Sequence, residues 1–439
     1  MSERGLFNGK TGFIIATAAS AVGLGNIWRF PTEAAAHGGG SFVLLYIVIV
    51  ILFGLVMMTT EIAIGRSTRK SPIEAYTTLD KRFRFLGILS AWVPAIILPY
   101  YCVIGGWLFG YLIGYSAGMD FSDSEAAFGS FVSSPECLVM FAVFAILVAV
   151  CIYLGVSKGI EKLSIIFMPV FLIILVGLTV YVLLQPELAP GVAYYFDFRM
   201  HEVDGQTFIA ALGQAFFSLS LAMGILITYG SYMSEKENIE RCSLTIIIID
   251  TTVAIIAGLM IIPMAFSVTG GDITGGAGLV FVTLPHIFES MALGRVVAIL
   301  FFIMISFAAL TSAVSILEAV SSTVIDSYKV SRNKAVVIVM IPTFLVGILV
   351  ALGYGPLDFI QIAGKNMLDI LDYVSNKLIM PIVAIVMCIF IGHVIGAKIV
   401  TDEVEKNGEF KTKALYIFFI KWVCPILVGL IFIGSFISF

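Results

Sequence analysis

The chain has 439 residues, of which 60% are apolar and only 12% charged. Soluble domains carry about a quarter charged residues, so this composition excludes an ordinary soluble globular protein. A formal net charge of −4 is too small to argue for a nucleic-acid or anionic-lipid partner.

A membrane-spanning helix needs about 20 apolar residues, and eleven such stretches follow one another with only short loops between them. The first, residues 11–36, contains Ala18-Ala19-Ser20-Ala21-Val22-Gly23-Leu24-Gly25-Asn26-Ile27-Trp28-Arg29-Phe30-Pro31, the most informative run in the chain. It reads as a helix broken halfway across. Arg29 near a bilayer centre costs about 2.5–3.5 kcal/mol. Irregular backbone survives at that depth only inside protein or beside an aqueous cavity. The expected use of such a break is to bind an ion or a substrate with the freed backbone groups.

Spans two to five are predicted over 41–64, 86–116, 138–155 and 161–184. The sixth, 208–230, has a second interruption, Phe216-Phe217-Ser218-Leu219-Ser220-Leu221-Ala222-Met223-Gly224, with two serines and a glycine in mid-segment. The seventh, 241–268, places Asp250 behind four isoleucines, and the eighth, 296–325, carries the adjacent hydroxyls Thr311 and Ser312. Spans nine to eleven follow over 334–352, 367–395 and 414–438. An acid at membrane depth wants a cation. Interrupted helices at corresponding places of two halves point to a transporter site. The expectation is an all-α membrane protein of eleven transmembrane helices. A five-plus-five inverted repeat is predicted, with helices 1 and 6 unwound at mid-membrane. Residues 1–10 would form a cytoplasmic N-terminus, 11–184 the first repeat, 208–397 the second, and 414–438 a peripheral helix.

Orientation follows from basic residues. With the N-terminus in the cytoplasm, nineteen of the 25 Lys and Arg fall on that side and only Arg199, Arg295 and Lys365 outside. An odd number of spans then leaves Phe439 outside. The expected location is a bacterial inner (plasma) membrane. The first span is too long and too polar for a cleaved signal. Six cysteines, mostly within or at the ends of apolar spans, offer no disulfide framework. Four histidines show no ligand spacing. Half-helix N-termini attract a carboxylate, whereas free carbonyls and hydroxyls suit a hard cation. Together these features suggest an ion-coupled carrier for a carboxylate-bearing solute.

From about Arg4 to Lys398 the chain resembles the neurotransmitter:sodium symporter family, specifically its prokaryotic amino-acid transporters. The resemblance rests on Gly23-Leu24-Gly25-Asn26-Ile27-Trp28-Arg29-Phe30-Pro31, Gly38-Gly39-Gly40-Ser41-Phe42, Glu61-Ile62-Ala63-Ile64-Gly65-Arg66, Tyr100-Tyr101, Ser157-Lys158-Gly159-Ile160-Glu161, Gly213-Gln214-Ala215-Phe216-Phe217-Ser218-Leu219-Ser220 and Ile227-Thr228-Tyr229. It implies two sodium ions. The first would use the Ala21 carbonyl, Asn26, Ser218, Asp250 and the substrate carboxylate. The second would use backbone oxygens of Ala19, Val22 and Ala308 with the hydroxyls of Thr311 and Ser312. The substrate carboxylate would meet the Leu24 and Gly25 amides and the Tyr101 hydroxyl, with Phe217 closing over it. Its side chain would lie among Ser20, Ile97, Tyr101, Ile104, Phe217, Ser220, Met223 and Ile316. Ala222 stands where many relatives have glycine, and its methyl is expected to trim this pocket. Arg29 with Asp372 would form an outer gate, and Arg4 with Asp326 a cytoplasmic one near Tyr232.

Gly23 stands where monoamine carriers of this family place an aspartate, which favours amino acids over amines. Asp250 replaces the asparagine of relatives, and a fixed carboxylate there could replace the chloride that animal members recruit near Tyr46, Gln214 and Ser218. The resemblance therefore implies sodium-coupled, chloride-independent symport of a neutral hydrophobic or aromatic amino acid by alternating access. No covalent chemistry and no obligate protein partner are expected. A carrier of a small or polar amino acid or osmolyte, and a sensor that binds without transport, remain open readings of the sequence.

Overall fold

The computed structural model describes residues 5–270, 275–362 and 364–437. Arg4 and Phe439, named above for a gate and an outer terminus, lie outside these residues.

Among the described residues nine helices are long and apolar enough to cross a membrane: Gly40–Thr68, Lys81–Ala117, Pro135–Tyr153, Val156–Leu183, Ile239–Thr269, Gly294–Tyr328, Arg332–Gly353, Met367–Val394 and Lys413–Gly434. Gly9–Ala21 and Gly25–Ala36 make a tenth when counted as one span, bent by 49° at the break. The sixth predicted span is divided more deeply. Gly205–Ser218 and Ile225–Tyr232 are helices of 14 and 8 residues, each too short to cross alone, with Leu219–Gly224 unwound between them. The described residues thus give nine such spans, or ten with the bent pair, beside one pair of half-helices where the sixth of the expected eleven is placed. Helix is the rule because these segments are apolar on all faces and a lipid-facing backbone must satisfy itself internally. Pro94, Pro99, Pro169, Pro263 and Pro342 sit inside helices, tolerated because neighbouring helices cover the freed carbonyls.

Burial separates core spans from peripheral ones. The third span and the eighth bury most of their surface, as does the first half of the broken span, whereas the eleventh turns most residues outward, with Phe418, Trp422, Ile426 and Ile433 exposed. Large apolar groups on the outside suit lipid. The second span and the second half of the sixth approach backbone to backbone. A Cβ at Gly65 would lie 1.9 Å from the Ile227 carbonyl oxygen, and one at Gly230 would lie 2.4 Å from that of Ile62. Small residues at such crossings give the close contact that holds membrane helices together. This contact anchors the helix that follows the unwound segment.

Candidate functional site

Helix one stops at Ala21 because Val22 leaves the helical region (φ −66°, ψ 105°) while its N–H still bonds the Ala18 carbonyl at 2.8 Å. The chain re-enters a helix at Leu24–Gly25. The N–H groups of these two residues therefore belong to an unsatisfied first turn. Asn26 holds the break. Its Oδ1 accepts the Gly23 N–H at 3.0 Å, and its Nδ2 donates to Asp250 Oδ1 (2.8 Å), the Asp250 carbonyl (3.1 Å) and Ser218 Oγ (3.2 Å). Ser218 Oγ donates to Asp250 Oδ2 at 2.8 Å. Gln214 Nε2 reaches the Gly25 carbonyl at 2.9 Å. Asn26, Gln214 and Asp250 are all completely buried.

Three of the four residues expected at a first cation site, Asn26, Ser218 and Asp250, are thus joined by direct hydrogen bonds. Among the described residues no Lys, Arg or His side chain pairs with the Asp250 carboxylate. A buried carboxylate without a counter-ion is costly, and its neighbours supply only oxygen atoms and an amide. This donor set fits a hard monovalent cation.

The second predicted cluster also converges. Ser312 Oγ donates to the Ser20 carbonyl (3.1 Å) and the Val22 carbonyl (3.3 Å). Thr311 Oγ1 donates to the Phe307 carbonyl at 3.0 Å and the Ala308 carbonyl at 3.1 Å. A small void beside them is lined by Ala19, Val22, Ala308 and Thr311, with Phe167, Met168, Phe171 and Phe307 around it. Carbonyls and hydroxyls again fit a hard cation.

Above both clusters lies a cavity of about 860 Å³, within the size range of small-molecule sites. Every residue expected to contact substrate lines it: Ser20, Ala21, Leu24, Gly25, Ile97, Tyr101, Phe217, Ser218, Ser220, Met223 and Ile316, together with Ile104. Its floor is apolar except for a few polar groups, among them the Tyr101 hydroxyl, which is buried without a hydrogen-bond partner among the described residues. A Cβ at Gly23 would lie 2.6 Å from Ser312 Oγ and 3.1 Å from the Tyr101 hydroxyl. A side chain at position 23 would press on both hydroxyls.

The structure differs from expectation at two places. Ala222 does not line the cavity, so its methyl does not trim the pocket. It adopts instead a left-handed backbone (φ 60°), as does Ser220 (φ 52°), a conformation costing about 1–2 kcal/mol for a residue with a Cβ. The outer pair is not formed. Arg29 lies 3.5 Å from Glu33, one turn along its own helix, with its guanidinium 5.0 Å from the Phe217 ring centroid. Asp372 instead accepts hydrogen bonds from the Tyr100 hydroxyl (3.2 Å) and Asn376 Nδ2 (2.6 Å). Arg29, Glu33, Asp372 and Lys377 all line the cavity, which accounts for a lysine in the tenth span. On the opposite side Asp326 accepts the Ser71 N–H at 2.8 Å. Sequence reasoning missed Glu318 there. It is completely buried and paired with Arg332 at 2.6 and 3.0 Å, and it accepts the Tyr232 hydroxyl at 2.6 Å. An acid deep in the eighth span was its only signal.

Comparison with known proteins agrees with this arrangement. The profile described as the sodium:neurotransmitter symporter family matches residues 4–137 and 119–439. An uncharacterised sodium-dependent transporter of Bacillus subtilis is 32% identical over 97% of this chain and 96% of its own length. The human sodium- and chloride-dependent GABA transporter 2 is 23% identical over 100% of this chain and 81% of its own. Among solved structures, MhsT in complex with L-phenylalanine superposes with a TM-score of 0.89 at 33% identity, covering 98% of this chain and all of that one.

Proposed function

Because the chain belongs to the sodium:neurotransmitter symporter family and is a sodium-dependent symporter, not an enzyme, we propose that its cargo is a neutral hydrophobic or aromatic amino acid. The observation that carries this reading is the cavity at the two helix breaks, which joins free helix-start amides to an apolar lining. The substrate carboxylate sits at the Leu24 and Gly25 N–H groups, where the helix-end dipole favours negative charge, and takes a hydrogen bond from Tyr101. Its side chain lies against Ile97, Ile104, Met223 and Ile316, where methionine adapts to different shapes. The structural relative bound to L-phenylalanine supports a substrate of this class.

Two sodium ions bind, one at Ala21, Asn26, Ser218 and Asp250 and the other at Ala19, Val22, Ala308, Thr311 and Ser312. The substrate carboxylate completes the first site, so ion and substrate stabilise each other. Phe217 and Arg29 stand over the cavity. Closure exchanges Glu33 for Asp372 as the partner of Arg29. The Asp250 carboxylate supplies the negative charge that an anion would otherwise bring, so transport needs no chloride. Each charge moved inward gains about 2.3 kcal/mol per 100 mV of membrane potential. A competition panel tests the substrate class: leucine, phenylalanine and tryptophan displace one another, whereas serine, glutamate and betaine do not. Displacement by betaine or serine at equal concentration would favour the small-solute carrier instead.

A further inference from the structure

We propose that the tenth and eleventh spans, where they meet near the cytoplasmic surface, form a binding site for the headgroup of an anionic phospholipid. Lys421 is its fixed charge, with His393 and Trp422 beside it. Neither the ion clusters nor the cavity use these groups. The two spans pack here through a pair of π-helical turns, Phe390–Val394 and Phe419–Val423, local widenings that are frequent at functional sites. Gly392 allows the close approach, since a Cβ on it would lie 3.1 Å from Lys421 Cα and 3.3 Å from Lys421 Cγ. The lysine stem therefore passes over the glycine, next to His393. The His393 ring stands edge-on to Trp422, with centroids 5.1 Å apart.

A lysine within an apolar span is costly and almost always pairs with another group or faces the bundle interior. Lys421 lies eight residues into the span that begins at Lys413, on the helix that turns most of its residues outward. Among the described residues it makes no ion pair. None of the four acids in the loop between these spans reaches it, and Glu403 and Glu405 are held by Arg66, Lys406 and Lys413 instead. The charge that offsets Lys421 comes from outside the chain.

The surroundings select a lipid over a small soluble anion. Lys421 stands level with the last turn of the tenth span, from which its long side chain reaches the headgroup layer. Trp422 is 56% exposed, as suits an aromatic ring at the membrane interface. Phe418 and Ile426, exposed one turn to either side of Trp422, offer apolar surface to acyl chains. Lys398, also exposed, opens the short helix after the tenth span and adds a second positive charge. Basic groups between spans on the cytoplasmic side are a known way to hold anionic headgroups. A free anion would gain from the lysine but nothing from the tryptophan and its apolar neighbours.

The test uses the full-length protein in detergent micelles containing phosphatidylglycerol or phosphatidylcholine with identical brominated acyl chains, which quench tryptophan fluorescence on contact. The signal of Trp422→Phe, subtracted as background, isolates the quenching at Trp422. Phosphatidylglycerol is expected to quench it at about fivefold lower mole fraction, the scale of one basic residue at an anionic surface. Lys421→Gln is expected to bring the two curves together, and Lys421→Arg to keep them apart. Coincident curves in the unaltered protein overturn the inference, whether or not the variants fold. A preference that survives Lys421→Gln overturns the assignment to Lys421. Loss of the preference on adding inorganic phosphate at constant ionic strength overturns the lipid in favour of a soluble anion.

Discussion

Asp250 is the residue on which the proposed ion chemistry turns. It holds Asn26 and Ser218 by hydrogen bonds of 2.8 Å each, and in the proposed first sodium site its buried carboxylate is the group that a cation would offset. Removing one partner of a buried, hydrogen-bonded charge pair costs about 3–5 kcal/mol, so Asp250→Ala is expected to weaken sodium binding by roughly 100-fold or more. Titration with ²²Na⁺ in the absence of substrate checks this, and near-normal affinity would remove Asp250 from the site. The same carboxylate predicts that uptake survives complete replacement of chloride by gluconate. Loss of uptake on that exchange would show that the animal relatives' anion requirement applies here as well. Arg29 pairs with Glu33, and the proposed closure would exchange this partner for Asp372. Glu33 is available one helical turn away at little entropic cost, whereas Asp372 lies on another helix across the cavity. The resemblance implied a pair across the gate and passed over the local acid, because spacing along a helix does not reveal which conformation is occupied.

At the scale of elements, both helix breaks were legible before any coordinates. Asn26, Arg29 and a glycine pair in one apolar run, and serines with a glycine in another, contradict an unbroken spanning helix. What remained hidden was the sign of backbone angles. Ala222 reads as a small pocket residue, whereas its φ of 60° and the bond of its N–H to Glu61 place it in the turn of the main chain. Two glycines carry predictions here. Gly23→Ala would push a methyl to 2.6 Å from Ser312 Oγ. Overpacking of this kind costs about 1–3 kcal/mol, so sodium and substrate affinities should both fall by roughly 10-fold or more. Isothermal titration checks this, and unaltered affinities would separate the first helix break from the second ion cluster. Gly159, at the start of the fifth span, has a packing reason, since a Cβ there would lie 2.0 Å from the Cys151 carbonyl oxygen. Gly159→Ala is therefore expected to lower the melting temperature in detergent.

For the whole molecule, the excess of Lys and Arg on one side predicts a cytoplasmic N-terminus. All six cysteines are buried or half-buried, which leaves little background for labelling. A cysteine introduced at Lys236 should react with a membrane-impermeant thiol reagent only from the cytoplasmic face, and one at Asp120 only from outside. The reverse pattern would invert the topology and exchange the two gates. The central claim is that both ion clusters and the cavity above them work as one coupled machine. The most direct test is uptake of labelled amino acids into proteoliposomes with and without an inward sodium gradient. Accumulation of a hydrophobic or aromatic amino acid, driven by sodium and unaffected by chloride removal, is the predicted result. Sodium-dependent binding without accumulation, or accumulation driven by a proton gradient alone, would contradict it.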